Sequence, residues 1–140
     1  VGVPAAGAVA IGATLITAPA SNAATIATDG YWGTETTRLL QILFKLDVVD
    51  GIVSSQPASR ASANPGLAGG WDWVSDASAN GSQTIGALQG MLKVTQDGLI
   101  GPGTISALQA RYKLPQDGVL SAESPTIMKL QAELNGVTHG

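Results

Sequence analysis

A phrase that recurs along the chain sets the limits on its fold. Asp29-Gly30-Tyr31-Trp32-Gly33-Thr34-Glu35-Thr36-Thr37-Arg38-Leu39-Leu40-Gln41 and Asp97-Gly98-Leu99-Ile100-Gly101-Pro102-Gly103-Thr104-Ile105-Ser106-Ala107-Leu108-Gln109 carry Asp, Gly, Gly, Thr, Leu and Gln at identical offsets. Gly81-Ser82-Gln83-Thr84-Ile85-Gly86-Ala87-Leu88-Gln89 matches the second half of the phrase. Asp117-Gly118-Val119-Leu120 reopens it, and Leu130-Gln131 closes it after a longer loop. Such a period predicts one supersecondary unit used several times, each copy burying its apolar side against its neighbours.

Each word of the phrase has a physical reading. Asp-Gly is turn chemistry, because the short carboxylate accepts nearby backbone N–H groups and Gly adopts positive φ without strain. The apolar pairs that follow, Tyr31-Trp32, Ile52-Val53, Leu99-Ile100 and Val119-Leu120, read as short extended pegs that plug into a core. Gly101-Pro102 reads as a helix entry, since Pro at the first helical position has no N–H to leave unpaired. Thr104 falls in the first turn, where a hydroxyl can serve free amides. Spacings of three and four (Ile105, Leu108, Tyr112; Ile127, Leu130, Leu134) then predict amphipathic helices over roughly Glu35–Leu46, Gln83–Val94, Gly103–Leu114 and Pro125–Asn135. Asn135-Gly136 reads as the last C-cap. The Leu of each Leu-Gln pair is core; the Gln either serves the neighbouring turn or is solvated. The expected fold is an all-α bundle of turn-plus-helix units.

Composition narrows the function. The chain of 140 residues has no Cys, which excludes disulfide scaffolds and thiolate metal sites. A net charge of −3 without a basic stripe argues against nucleic acid. With only 12% charged residues, a ligand is to be held by hydrogen bonds and apolar contact. Residues 1–27 form an uncharged Ala/Gly-rich segment. They read either as an export signal, with Ala18-Pro19-Ala20 or Ser21-Asn22-Ala23 as cleavage motif, or as a small-residue linker or arm. Pro4, Pro19 and the Ser-Asn interruption argue against a stable membrane span. Residues 28–136 are then the domain and 137–140 a tail.

The second phrase is split. Asp50-Gly51-Ile52-Val53 opens it and Gly81-Ser82 resumes it; between them Ser54–Asn80 is rich in Ser, Ala, Asn, Gly and Pro and reads as a long loop. Within it stands Gly70-Trp71-Asp72-Trp73-Val74. In extended backbone Trp71 and Trp73 project to one side. They form either a platform for a sugar or peptide, or a cover over the end of the core. Trp32 aligns with Val53, Ile100 and Leu120 and is core. Because the repeat accounts for the rest, the candidate ligand contacts are Trp71 and Trp73, with Asp72, Asn80, Ser82 and Gln83 as polar partners.

The order of these motifs resembles the peptidoglycan-binding domain of bacterial and phage cell-wall hydrolases, above all the C-terminal wall-binding region of Gram-positive endolysins and secreted lysozymes. Asp29–Gly33, Asp50–Gln56, Trp71–Trp73, Gly81-Ser82, Asp97–Thr104 and Glu123–Asn135 carry the likeness. Ser124-Pro125-Thr126 is shifted by one residue from the usual pattern. The resemblance implies a mostly helical module that binds bacterial peptidoglycan without catalysis and holds a linked or separate hydrolase at the wall, secreted or wall-associated. It transfers no catalytic residue.

The residues themselves offer little chemistry. His139 is the only His and stands one residue from the end, where fixed catalytic or metal geometry is rare. Neither a cofactor nor a metal is expected. Glu35, Asp72, Asp76, Glu123 and Glu133 are the carboxylates available to a glycosidase pair. The competing reading is a secreted interaction or inhibitor protein that uses the Trp-bearing loop.

Overall fold

The computed structural model of the chain describes residues 25–139. The signal, linker and arm readings of the N-terminal segment therefore fall almost wholly outside the described residues. In chain order the elements are α1 (Thr34–Leu43), β1 (Val53–Pro57), α2 (Ser59–Ala63), β2 (Trp71–Val74), a 3-10 turn (Asp76–Ser78), α3 (Gln83–Leu92), α4 (Pro102–Arg111) and α5 (Pro125–His139). Strands β1 and β2 pair in parallel, Val53 beside Trp71, Gln56 beside Trp73 and Pro57 beside Val74. The all-α expectation is thus corrected to a mixed α/β fold. Its physical cause is the extended pegs: their backbone groups need partners outside any helix, and the insert supplies them.

The glutamine of each phrase reads the turn of the next. Gln89 donates from Nε2 to Asp97 Oδ1 at 2.8 Å, to the Leu99 carbonyl at 3.1 Å and to Thr104 Oγ1 at 3.0 Å, and its Oε1 accepts the Gly98 N–H at 2.8 Å. Gln41 makes the same four bonds to Asp50, Ile52, Thr84 and Gly51. Gln109 bonds Asp117, Val119 and Gly118. Gln131, at the other end of the chain, bonds Asp29, Tyr31, Thr36 and Gly30 and so closes the series into a ring. All four glutamines are buried. The threonine of the phrase is therefore an acceptor for glutamine, not a cap for amides. Gly98 must be glycine: its φ is +74°, and a Cβ would lie 3.0 Å from backbone atoms of Ser82.

The insert sits at the hub of this ring. Of each apolar pair only the second residue is a peg: Trp32, Val53, Ile100 and Leu120 are buried, whereas Tyr31, Ile52 and Val119 are exposed and Leu99 half-buried. The insert or its flank accepts the N–H of every peg. The acceptors are the Gly66 carbonyl for Trp32 and the Gly70 carbonyl for Val53, both at 2.8 Å. Gln56 Oε1 accepts from Ile100 at 2.7 Å and Asn64 Oδ1 from Leu120 at 2.9 Å. The segment read as a loop is consequently structured. It carries β1, α2 and β2, and its Trp71 joins Trp32 and the helix leucines in the core.

Helix ends follow repeated rules. The helices begin where the spacing puts them, but α1, α3 and α4 stop two or three residues early, because Lys45, Lys93 and Lys113 take left-handed φ of 56°, 61° and 59°. The next N–H in each case returns to the carbonyl of the phrase glutamine, as in Val94 to Gln89 at 3.1 Å. The last helix departs from expectation in the other direction. It runs through Asn135-Gly136 to His139, so no C-cap forms there. Ser82 and Ser124 cap α3 and α5 by accepting the Ile85 and Ile127 N–H groups, which gives the displaced Ser-Pro-Thr stretch a definite place. Among the described residues no helix is long and apolar enough to cross a membrane.

Candidate functional site

The six residues singled out as ligand contacts, four from the insert and two from the start of α3, do not form one surface. Trp71 is 8% exposed, stands edge-on to Trp32 with ring centroids 5.1 Å apart, and donates from Nε1 to the Trp32 carbonyl at 3.0 Å. Trp73 stacks on Trp71 at 5.4 Å and an interplanar angle of 12°, and keeps part of its ring in solvent. The inner indole is thus core, and only the outer one has a face to offer. Alternation along β2 puts Asp72 on the opposite side. There Asp72 Oδ2 accepts the Ser55 N–H at 3.0 Å, and Ser55 Oγ accepts the Asn80 N–H at 2.7 Å. Ser82 is occupied as the α3 cap, and Gln83 is exposed as the first residue of that helix. Ser55 itself, at φ 54° in the irregularity between the two strands, organises this polar group. Sequence reasoning passed over it because nothing in Ser54-Ser55 marks a left-handed residue.

Two open clefts occupy equivalent places in the repeat. The first, of about 480 Å³, lies where α5 hands over to α1. Its wall includes Asp29, Tyr31, Thr34, Glu35, Thr36 and Gln131. The second, of about 360 Å³, lies where α3 hands over to α4, and its wall includes Asp97, Leu99, Pro102, Gly103, Thr104 and Gln89. These are the same positions of the phrase, with Asp, Thr and Gln shared and Tyr31, Thr34 and Glu35 standing where the second cleft has Leu99, Pro102 and Gly103. Both α1 and α4 start from a Gly without a side-chain cap, unlike the serine-capped α3 and α5. None of the six candidate contacts lines either cleft.

The clefts differ in charge. The first carries Asp29 and Glu35 and no cationic side chain; Tyr31, 37% exposed, forms its aromatic lip. The second carries Asp97 and, from α2, Arg60. The Leu99 N–H and the Gln89 amide hold the Asp97 carboxyl below the ordinary carboxylate range. Two signals for these residues stood in the sequence. The position after each Asp-Gly is apolar in every copy although a turn residue is exposed, and Arg60 is the one charged residue between Asp50 and Asp72.

Comparison with known protein families, characterised proteins and solved structures finds no match to this chain. Its chemistry must be judged from its own side chains. Of the carboxylates considered for catalysis, Glu133 bonds Tyr112 Oη at 2.6 Å and pairs with Arg111, Asp72 holds Ser55, and Asp76 accepts the Ser59 N–H at 3.1 Å. Among the described residues no group of three or more His, Asp or Glu is placed to hold a metal ion.

Proposed function

We propose that this chain is a non-catalytic module that binds bacterial cell-wall peptidoglycan and holds a linked or separate wall hydrolase at its substrate. The observation that carries the reading is the pair of repeat-related clefts. A polymer of repeating units is matched by a repeated site, and shallow open clefts of hydroxyl, amide and apolar groups suit an extended chain better than a small enclosed substrate. The motif order in the sequence supports the same reading. Tyr31 at the lip of the first cleft and the outer face of Trp73 supply aromatic contact area at little entropic cost. Asp72 and Asn80, both exposed and gathered around Ser55, supply secondary polar contacts, and the exposed Gln83 at the start of α3 supplies another.

Sedimentation with purified, protein-free sacculi tests this. The chain is expected in the pellet, with Tyr31→Ala and Trp73→Ala retained less while their circular dichroism is unchanged. A chain that stays soluble beside intact sacculi overturns the proposal and favours the interaction-protein reading. Clearing of a wall suspension by the chain alone overturns its non-catalytic part.

A further inference from the structure

Arg60 is unexplained by the fold. Its Nε is shut off from solvent and has no hydrogen-bond partner. Among the described residues no carboxylate lies within ion-pair distance of it, the one such pair being Arg111 with Glu133. Asp76 feels its charge but is held by the Ser59 N–H. The guanidinium packs on Gly101, with Nε, Nη2 and Cζ 3.8–3.9 Å from where a Cβ would stand, and it lines the second cleft. The side chain as a whole is only half-buried, so with Nε sealed against the protein its terminal nitrogens, which have no protein acceptor, are what an acceptor in the cleft can reach.

We propose that the second cleft takes the C-terminal carboxylate of a short peptide with small side chains, and that Arg60 receives it. The planar fork of arginine matches a carboxylate with two parallel bonds. Both bonds accepted by the Asp97 carboxylate fall on Oδ1, which leaves Oδ2 for the amide N–H that precedes a terminal carboxylate. Pro57, Val94, Leu99 and Pro102 give the same cleft apolar surface. A bare anion is opposed by Asp97 and a bare cation by Arg60; a peptide terminus offers an acceptor to one and a donor to the other. The first cleft is the internal contrast. It repeats the Asp, Gln and Thr but has Glu35 where the second has Gly103, and no cation.

This inference rests on the wall-binding reading for the source of the peptide: stem peptides of peptidoglycan end in small residues with a free carboxylate. Its test is a titration of the whole chain with N-acetyl-D-alanyl-D-alanine, followed by amide chemical shifts. Saturable shifts are expected at Gly101, Gly103 and Thr104, without matching shifts at Thr34 and Glu35. Blocking the peptide as its C-terminal amide, or changing Arg60→Gln, is expected to weaken binding by about tenfold or more, with Arg60→Lys in between. The acid-against-amide comparison on the unaltered chain decides the matter even if a variant fails to fold. Equal binding of acid and amide, or no shifts at all, overturns the proposal. Equal or better binding of the L,L peptide overturns the assignment to wall stems. Sacculus capture of the unaltered chain is measured in parallel. Capture without dipeptide shifts removes this inference and leaves the wall reading, whereas shifts without capture do the reverse.

Discussion

At the scale of single residues, the phrase glutamine does most of the joining. Gln109 illustrates it: the side chain is buried, and its amide spans a turn carboxylate, a carbonyl and the Gly118 N–H at 3.0 Å. Truncation strips a buried N–H and a carbonyl of their partners, which costs roughly 1–3 kcal/mol beyond the lost packing. Gln109→Ala is therefore expected to destabilise about as much as Leu108→Ala, for which burial alone predicts roughly 2–5 kcal/mol. Denaturant titration of the two variants checks this, and a Gln109→Ala chain with unchanged midpoint would contradict it. Spacing put leucine and glutamine side by side in every copy, but an amide looks alike in sequence whether solvated or buried. Only the approach of the next turn decides.

At the scale of elements, the insert does the work of a hub. Trp71 fills the space between the first peg and β1, and Trp73 covers it from outside. Trp71→Ala is expected to cost about 3–5 kcal/mol, in line with large buried aromatics. Trp73→Ala should cost distinctly less because part of its ring already meets water. Thermal melts of the two variants separate these outcomes; equal losses would mean that both indoles are core. The sequence showed the alternation in Trp71-Asp72-Trp73 but not the strand pairing, because β1 and β2 are short and their partners lie across a connection with its own helix. Among the candidate contacts, the sequence therefore singled out both indoles of this segment but left unresolved which of them faces water. The clefts were less legible still. Tyr31 and Leu99 were assigned to the core with their neighbours, since a two-residue peg does not reveal which side chain points in.

At the scale of the whole molecule, the closed ring makes stability depend on its carboxylates. Asp50 and Asp97 are held below the ordinary range first by the Ile52 and Leu99 N–H groups and then by Gln41 and Gln89. Asp117 is lowered first by Gln109 and then by the Val119 N–H. Glu133 is lowered by Arg111, which ties α4 to α5. Each group has a lower pKa folded than unfolded, so the unfolded chain binds more protons and their contribution is complete above about pH 5. It is lost as pH falls through the depressed folded values. Melting temperature is expected to hold steady near neutrality and to drop progressively below about pH 4; a profile flat down to strong acid would refute the linkage. The Tyr112 phenol, pushed up by burial and by its bond to Glu133, keeps its proton throughout.

The sequence by itself determined the repeat, the helix starts, the Asp-Gly turns and the buried leucines, because each depends on spacing and backbone preference within a dozen residues. The positive φ of Gly98 follows from local turn chemistry in the same way. Only the tertiary structure decided that Gln131 closes the ring onto a turn 101 residues away, that the insert accepts the N–H of all four pegs, and that Arg60 lies against Gly101. Those contacts join segments far apart along the chain. No periodicity encodes them, and they arise because buried backbone and amide groups must find partners once the repeated helices have packed.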